Sequence, residues 1–304
     1  HTSAILSAAF SPDGKLLLTA DDHGDVKLWN CSGKELQTFS GHANHVVSVA
    51  FSPDGKQTLT GSMDGTAKLW DLSGRELQSF PGHDTGVFVA FSPDGKTVLT
   101  APIWNGTAKL WDLSGKELQV FSGDIPGFTN AAFSPDGKHL LTGCRDNTAK
   151  LWDVKGKQLQ TFPHTKNVLS AAFTPDGKKV LTSSWDQTVK LWDLSGKELQ
   201  ASSFAKSFQV VAFSPDGKHI LASSIDNKLN TAVKLWDLSG KELQTFSNDR
   251  GDVRVLVFSP DGKRVLTSDG EIAKLWDLSG KELQTLSGNE HVVSDVAFSP
   301  EGKQ

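Results

Sequence analysis

Hydrophobic and polar residues alternate in short runs along this chain, and the runs end at turns that contain glycine. Val46–Phe51 alternates in this way and stops at Ser52-Pro53-Asp54-Gly55. Such a sequence is typical of a hairpin turn, because Pro presets φ at the first turn position and Gly adopts the left-handed one. The pattern then predicts three further strands, at Lys56–Gly61, Thr66–Asp71 and Glu76–Phe80. We label the four strands of such a unit a to d.

The same unit recurs along the whole chain at a period near 40 residues. Its first turn begins at Ser11, Ser52, Ser92, Ser134, Thr174, Ser214, Ser259 and Ser299. Strand c of each unit carries a tryptophan, at Trp29, Trp70, Trp111, Trp152, Trp192, Trp236 and Trp276. A four-stranded unit cannot bury both of its faces alone, so seven of them predict an all-β fold. We expect a seven-bladed β-propeller of four-stranded antiparallel blades, forming one domain over residues 1–304.

The motifs of each unit resemble those of the WD-repeat family. They are a Gly41-His42 pair before strand a, Asp64 in the turn between strands b and c, and Trp70-Asp71 at the end of strand c. The resemblance covers the whole chain and is closest in type to the highly repetitive bacterial WD-repeat proteins, which often serve as sensor modules of larger regulators.

In that family the His, the Ser or Thr, the Asp and the Trp of one unit form a buried hydrogen-bond network. The resemblance implies this network in two units, with the residues His42, Ser62, Asp64, Trp70 and His164, Ser184, Asp186, Trp192. The fourth unit has Asp124 in the place of the His and Cys144 in the place of the Ser. We therefore expect the network to differ from unit to unit.

The chain begins and ends within a repeat. His1 stands nine residues before Phe10, as His42 stands nine before Phe51. After the last complete unit, Val292–Phe298 has the pattern of a strand a, so residues 291–304 are predicted to be a surplus first strand of a further repeat. We expect this chain to be part of a longer multidomain protein.

Composition excludes several classes of partner. Lys and Arg number 31 against 35 Asp and Glu, a formal net charge of −4, which argues against binding nucleic acid through its phosphates. No apolar run approaches the length of about 18 residues that spans a membrane. The two cysteines, Cys31 and Cys144, form no disulfide framework, which favours a reducing compartment such as the cytoplasm.

Comparison of the repeats with one another predicts where a partner binds. The a–b and c–d turns hardly change, whereas the d–a and b–c loops, which lie on the opposite face of a propeller, vary in sequence and length. Binding residues are usually carried on loops of a rigid scaffold. Two tryptophans outside the repeat, Trp104 and Trp185, fall in b–c turns, and Trp is enriched in binding hot spots. The candidate partner-binding residues are Trp104, Trp185, Phe204, Arg145, Arg250 and Arg254.

Other repeated or suggestive residues are better explained by structure. A lysine stands two residues before each strand-c tryptophan, and this constancy predicts a structural pairing with strand d. Asp21-Asp22-His23 fills a b–c turn, and no Cys or third His near His42 and His45 completes a metal site. We expect no catalytic residue, no cofactor and no metal.

Two functions from different classes stay open. The first is a non-catalytic scaffold or sensor module that binds a protein or peptide on the variable loops. The second is a propeller that binds a small molecule or glycan at the channel mouth with Trp104 or Trp185. Identical pockets in every blade would favour sugars, and the variation of the loops from blade to blade favours the first.

Overall fold

The chain folds into seven four-stranded antiparallel sheets in this computed structural model. The structure describes residues 1, 3–104, 106–121, 127–203, 208–225, 231–247, 253, 255–268, 272–286 and 295–302, and no helix occurs in those ranges. Every strand pairs only with its neighbours in sequence, so each sheet is one repeat. The predicted fold is confirmed: the sheets are the blades of a seven-bladed β-propeller.

The described chain divides into two compact units. The first comprises His1–Phe128, Val154–Gly156 and Ser299–Gln304, and the second comprises Thr129–Asp153 and Lys157–Phe298.

The first unit contains three complete sheets. The first sheet consists of β1 (Ile5–Phe10), β2 (Leu16–Asp21), β3 (Val26–Asn30) and β4 (Glu35–Phe39). The second consists of β5 (Val46–Phe51), β6 (Gln57–Ser62), β7 (Ala67–Asp71) and β8 (Glu76–Phe80). The third consists of β9 (Val87–Phe91), β10 (Thr97–Pro102), β11 (Ala108–Asp112) and β12 (Glu117–Phe121).

The strands of the other four sheets lie in the second unit. The fourth sheet is β13 (Phe128–Phe133), β14 (His139–Cys144), β15 (Thr148–Asp153) and β16 (Gln158–Pro163). Of this repeat, only Phe128 and the c–d turn Val154–Gly156 belong to the first unit. The fifth is β17 (Val168–Phe173), β18 (Lys179–Ser184), β19 (Thr188–Asp193) and β20 (Glu198–Ser203). The sixth is β21 (Phe208–Phe213), β22 (His219–Ile225), β23 (Thr231–Asp237) and β24 (Glu242–Ser247). The seventh is β25 (Val255–Phe258), β26 (Arg264–Ser268), β27 (Ala273–Asp277) and β28 (Glu282–Leu286).

The repeated a–b turn is held by its own side chains. Ser52 Oγ donates to Asp54 Oδ1 (2.7 Å), and the same carboxylate oxygen accepts the Lys56 N–H (3.1 Å). Gly55 has φ of 69°, the left-handed conformation that a residue with a Cβ adopts only with strain. Since the Lys56 amide belongs to the turn, β6 begins at Gln57, one residue later than the pattern predicts.

Neighbouring sheets share their apolar side chains. Between the second and third sheets, Leu59, Leu69 and Phe80 pack against Val98 and Trp111 in one buried cluster. The ring centroids of Phe80 and Trp111 are 5.8 Å apart at an interplanar angle of 54°. Aromatic residues bury roughly 150–250 Å² each, so these contacts supply much of the driving force for stacking the sheets.

Among the described residues, the cluster between the fifth and sixth sheets has no phenylalanine from strand d. Where strand d of the fourth sheet has Phe162, strand d of the fifth has Ser202, opposite Val189. A cavity of about 20 Å³, lined by Val189 and Trp236, lies in this cluster and has room for about one water molecule. Phe204, a candidate partner-binding residue that follows this strand, lies outside the described residues.

The turn after the seventh repeat contacts the first sheet. A Cβ at Gly14 would lie 3.2 Å from Cδ of Pro300, the same relation that Pro53 has to Gly95 (3.3 Å) in the next pair of sheets. Of the predicted surplus strand, residues 292–294 lie outside the described chain, and residues 295–298 form no strand. The surplus repeat at 291–304 therefore stays a prediction.

Removal of a strand-c indole should destabilise the propeller. Trp152 is 3% exposed, and its Nε1–H donates to Thr142 Oγ1 (3.0 Å). We expect Trp152→Ala to lower the free energy of unfolding by about 3–5 kcal/mol, as truncation of a core aromatic does. Trp104→Ala, at an exposed indole, should change it by no more than about 0.5 kcal/mol. Urea unfolding followed by circular dichroism measures both, and equal losses would contradict the assignment of Trp152 to the core.

Candidate functional site

A chain of side-chain hydrogen bonds runs through the second sheet. The Trp70 Nε1–H donates to Thr60 Oγ1 (2.9 Å), which lies 2.7 Å from His42 Nε2. His42 Nδ1 lies 2.9 Å from Asp64 Oδ2. Because a carboxylate only accepts, the His42 proton resides on Nδ1, and Nε2 then accepts the Thr60 hydroxyl. Both ring nitrogens of His42, the indole N–H of Trp70 and the hydroxyl of Thr60 therefore have hydrogen-bond partners.

The hydroxyl in this chain comes from a different residue than the resemblance implies. Thr60 joins His42 to Trp70, while Ser62, two residues further on, donates to Asn44 O (3.0 Å) and accepts the Asp64 N–H (3.1 Å). Ser62 therefore supports the b–c turn. The fifth sheet repeats the arrangement, with Thr182 between His164 and Trp192, and with Ser184 at the turn.

The first sheet has the same network, which the sequence analysis missed. His1 Nδ1 lies 2.7 Å from Asp21 Oδ2, and His1 Nε2 lies 2.6 Å from Thr19 Oγ1, which accepts the Trp29 Nε1–H (2.7 Å). Asp21 ends strand b, whereas the corresponding Asp64 lies two residues later, in the turn. The available signal was the spacing of nine residues from His1 to Phe10.

The fourth sheet uses its carboxylate differently. Asp146 accepts from the Thr148 hydroxyl (2.6 Å) and pairs with the Lys150 ammonium group. Strand d has Gln158 where the other sheets have Glu, so Lys150 has no carboxylate there. Burial raises the pKa of the Cys144 thiol to about 11, so this cysteine is a buried thiol and no nucleophile.

The repeated lysines pair with strand d in six sheets, as predicted. Their ammonium groups lie 2.6–3.2 Å from glutamates, in the pairs Lys27–Glu35, Lys68–Glu76, Lys109–Glu117, Lys190–Glu198, Lys234–Glu242 and Lys274–Glu282. Five of the same ammonium groups lie 5.1–5.8 Å from the centroid of a strand-c indole. Each of these lysines therefore has a structural role, because its ammonium group already has an intramolecular partner.

The constant turns of the first unit line a groove of about 700 Å³. Its carboxylates are Asp54, Asp71 and Asp94. Each is already bonded within its own turn: Asp71 Oδ1, for example, accepts the Ser73 hydroxyl (2.5 Å) and the Ser73 N–H (3.0 Å). The hydrogen bond from the Ser73 hydroxyl is the largest of the causes that lower the pKa of Asp71. The polar groups of this groove thus hold the turns together.

The variable loops of the first unit form one continuous surface. We call residues 22–25, 43–45, 63–65, 83–86 and 102–104 the first-unit loop surface. Contacts that join successive loops are Asp22 O with His45 Nδ1, His45 O with the Met63 N–H (2.8 Å), Gly65 O with the His83 N–H (3.3 Å), and Gly86 O with the Ile103 N–H (2.7 Å). Trp104 ends this series and is 47% exposed.

Gly86 brings two apolar side chains of this surface together. A Cβ at Gly86 would overlap Met63 Sδ and Ile103 Cδ1, so a larger residue would force these side chains apart. Met63 and Ile103 are both half-buried, and exposed Trp104 follows directly. The result is an apolar patch, absent from the repeat consensus, on a surface that is otherwise polar.

The second unit carries its own candidates. Trp185 is 53% exposed, and its backbone N–H donates to Asn167 O (3.0 Å), which fixes the b–c turn against the d–a loop. Arg145 is exposed at the end of β14. The candidates Phe204, Arg250 and Arg254 lie outside the described residues. Across the described ranges of both units, no helix has the length and apolarity needed to cross a membrane.

Asp64 of the second sheet should contribute more to the stability of the protein than Asp146, the corresponding aspartate of the fourth sheet. Asp64 accepts from His42, the Ala43 N–H (2.9 Å) and Thr66, whereas Asp146 accepts from Thr148 and pairs with the Lys150 ammonium group. We expect Asp64→Ala to cost about 1–3 kcal/mol, because His42 and the amide lose their acceptor. Asp146→Ala should cost less. Urea unfolding compares the two variants, with Asp64→Asn, which keeps an acceptor oxygen, as the milder control; a larger loss for Asp146→Ala would refute this reading.

The histidines should make the protein less stable in acid. Burial first, and the Lys109 charge second, lower the pKa of His83 to about 4, from an ordinary value near 6.5. Below a pH of about 6.5, His83 binds a proton in the unfolded protein but not in the folded protein. The free energy of unfolding therefore falls as the pH drops towards 4.

Burial also lowers the pKa of His42 and His164, although their aspartates oppose the shift. Denaturant titrations at several pH values between 7 and 4 should show this decline, and His83→Gln should flatten it. An unchanged slope in that variant would show that His83 is not the source.

Comparison with known proteins shows the family. Residues 4–255, more than half of the chain, match the family model described as the IFT122 first beta-propeller, and residues 240–277 match the WD domain, G-beta repeat. A relative is the uncharacterized WD repeat-containing protein alr3466 of Nostoc sp. (strain PCC 7120 / SAG 25.82 / UTEX 2576), which is 52% identical over 40 residues. That match spans 13% of this chain and 3% of the relative's length. WD propellers generally mediate protein interactions and are typically non-catalytic scaffolds. The chain belongs to the WD-repeat β-propellers, in the family of the first β-propeller of IFT122.

Proposed function

We propose that this propeller is a non-catalytic scaffold or sensor module that binds a protein or peptide partner through its variable d–a and b–c loops. The observation that carries the proposal is the exposure of Trp104 and Trp185, 47% and 53%, in b–c turns where the repeat has no indole. A stiff aromatic side chain loses little entropy on contact and buries a large area, which suits it to an interface centre.

The constant turns support the same choice by elimination. Their Ser, Asp and Gly residues close hairpins, and the repeated lysines are paired with strand d. Since these groups already have intramolecular partners, they contribute less to a new interface than the loop residues do. We place Arg145, Arg250 and Arg254 at the rim, where charge tunes the rate of association more than the final affinity.

The wider setting belongs to the same proposal. We infer a bacterial cytoplasmic signalling protein in which this propeller is one domain of a longer chain. The free thiols of Cys31 and Cys144 suit a reducing compartment. The matched relative is a bacterial protein, and it is much longer than the segment that aligns, which is 3% of its length.

The loop tryptophans provide the test. A partner is first captured from the source cells with the wild-type propeller and identified, and its affinity for each variant is then titrated. Trp104→Ala and Trp185→Ala should each weaken binding by about 1 kcal/mol or more, while the unfolding temperature changes little.

The controls lie on the constant turns. Lys56→Ala and Lys96→Ala remove exposed lysines that form only long pairs with Asp54 and Asp94, at 3.9 and 3.8 Å. Both should bind normally. If the lysine variants lose the partner and both tryptophan variants retain it, the partner uses the opposite face.

A further inference from the structure

Formal charge is distributed unevenly over the first unit. Residues 1–121 contain nine Lys and Arg residues, and all nine lie on a–b turns, strands c or c–d turns. None lies on the first-unit loop surface. That surface carries the carboxylates Asp22, Asp25, Asp64 and Asp84 instead, and among them Asp25 and Asp84 are exposed.

Two lysines near this surface are held by glutamates of strand d. Lys68 Nζ lies near Gly41, and Lys109 Nζ lies near Gly82, at the start of the d–a loops. Each is held by a strand-d glutamate, at 2.6 Å for Lys68 and 3.1 Å for Lys109, and only 14% and 19% of these side chains is exposed. These ammonium groups, and that of Lys27 at 2.8 Å from Glu35, are therefore paired within the outer strands. Among the ion pairs of the described residues, none joins a Lys or Arg to the exposed Asp25 or Asp84.

The apolar patch lies within this acidic surface. Met63 and Ile103 meet at Gly86, exposed Trp104 follows Ile103 in sequence, and the loop that carries Gly86 also carries exposed Asp84. An apolar centre with a rim of one sign of charge selects a partner of the opposite sign, because like charges brought together repel.

We propose, on the basis of the function proposed above, that the first-unit loop surface binds a peptide segment in which a bulky apolar side chain is flanked by Lys or Arg. The apolar side chain packs on Met63, Ile103 and Trp104. The flanking cations lie against Asp84 and Asp25, the two exposed carboxylates of this surface. Gly86 maintains the patch, since a side chain at that position would separate Met63 from Ile103.

A displayed library of random peptides tests the chemistry even while the natural partner is unidentified. The library is selected on the wild-type propeller, and the enriched peptides are counted for net charge and for bulky apolar residues. We expect enrichment of peptides that combine Lys or Arg with an aromatic or large aliphatic residue.

Titration of an enriched peptide then assigns it to the surface. Trp104→Ala should weaken binding about fivefold or more. Asp25→Asn combined with Asp84→Asn should weaken it roughly two- to fivefold for each charge removed, and should reduce its dependence on salt. Asp94→Asn is the matched control, because it removes one carboxylate from a constant a–b turn outside the loop surface, keeps an acceptor oxygen for the Ser92 hydroxyl, and should leave the affinity unchanged.

The outcomes separate this inference from the proposed function. Enriched peptides that are acidic or neutral, but still lose affinity in Trp104→Ala, would overturn the charge selection and leave the loop face as the binding site. Peptides that bind equally to the tryptophan variants would overturn both. An absence of enrichment above a denatured control would also count against both.

Discussion

The structure depends on the burial of aromatic and aliphatic side chains between adjacent sheets. A four-stranded sheet has apolar residues on both faces, so no repeat of this chain can be stable by itself. The contact of Phe80 with Trp111, and the equivalent contact of Phe162 with Trp192, show how strand d of one sheet and strand c of the next cover each other.

The polar network is a consequence of that packing. An indole buried between sheets needs an acceptor for its N–H, and the strand-b threonine supplies it in each of the first five sheets and in the seventh. The histidine and aspartate extend this bond outward in some sheets only. His1, His42 and His164 complete the chain with an aspartate, whereas the fourth sheet satisfies Asp146 with a lysine. Strong packing tolerates this variety because the network is added to the apolar contacts and does not replace them.

Local chemistry made most of the fold predictable. Turn residues such as Ser52 and Gly55, together with the spacing of the tryptophans, determine strand number and order, because every strand pairs with its neighbour in sequence. The polar network was harder to assign. Thr60 and Ser62 are both hydroxyl residues on one strand, and only their position relative to Trp70 decides which accepts the indole. The shared face of the variable loops was predicted, but the contact of Met63 with Ile103 was not, because it joins side chains from separate repeats.

The sequential pairing of strands also bears on how the chain is made. Each sheet can complete its hydrogen bonds as soon as its own four strands have left the ribosome, without waiting for distant segments. The apolar face that packs against the next sheet, however, stays exposed to solvent until the following repeat emerges, at a synthesis rate of about 5–20 residues per second. A nascent chain of this protein therefore always presents one uncovered sheet, the newest, for a few seconds at a time. The exposed apolar face of the newest sheet is the surface on which a chaperone would bind, and on which two chains translated side by side would associate wrongly.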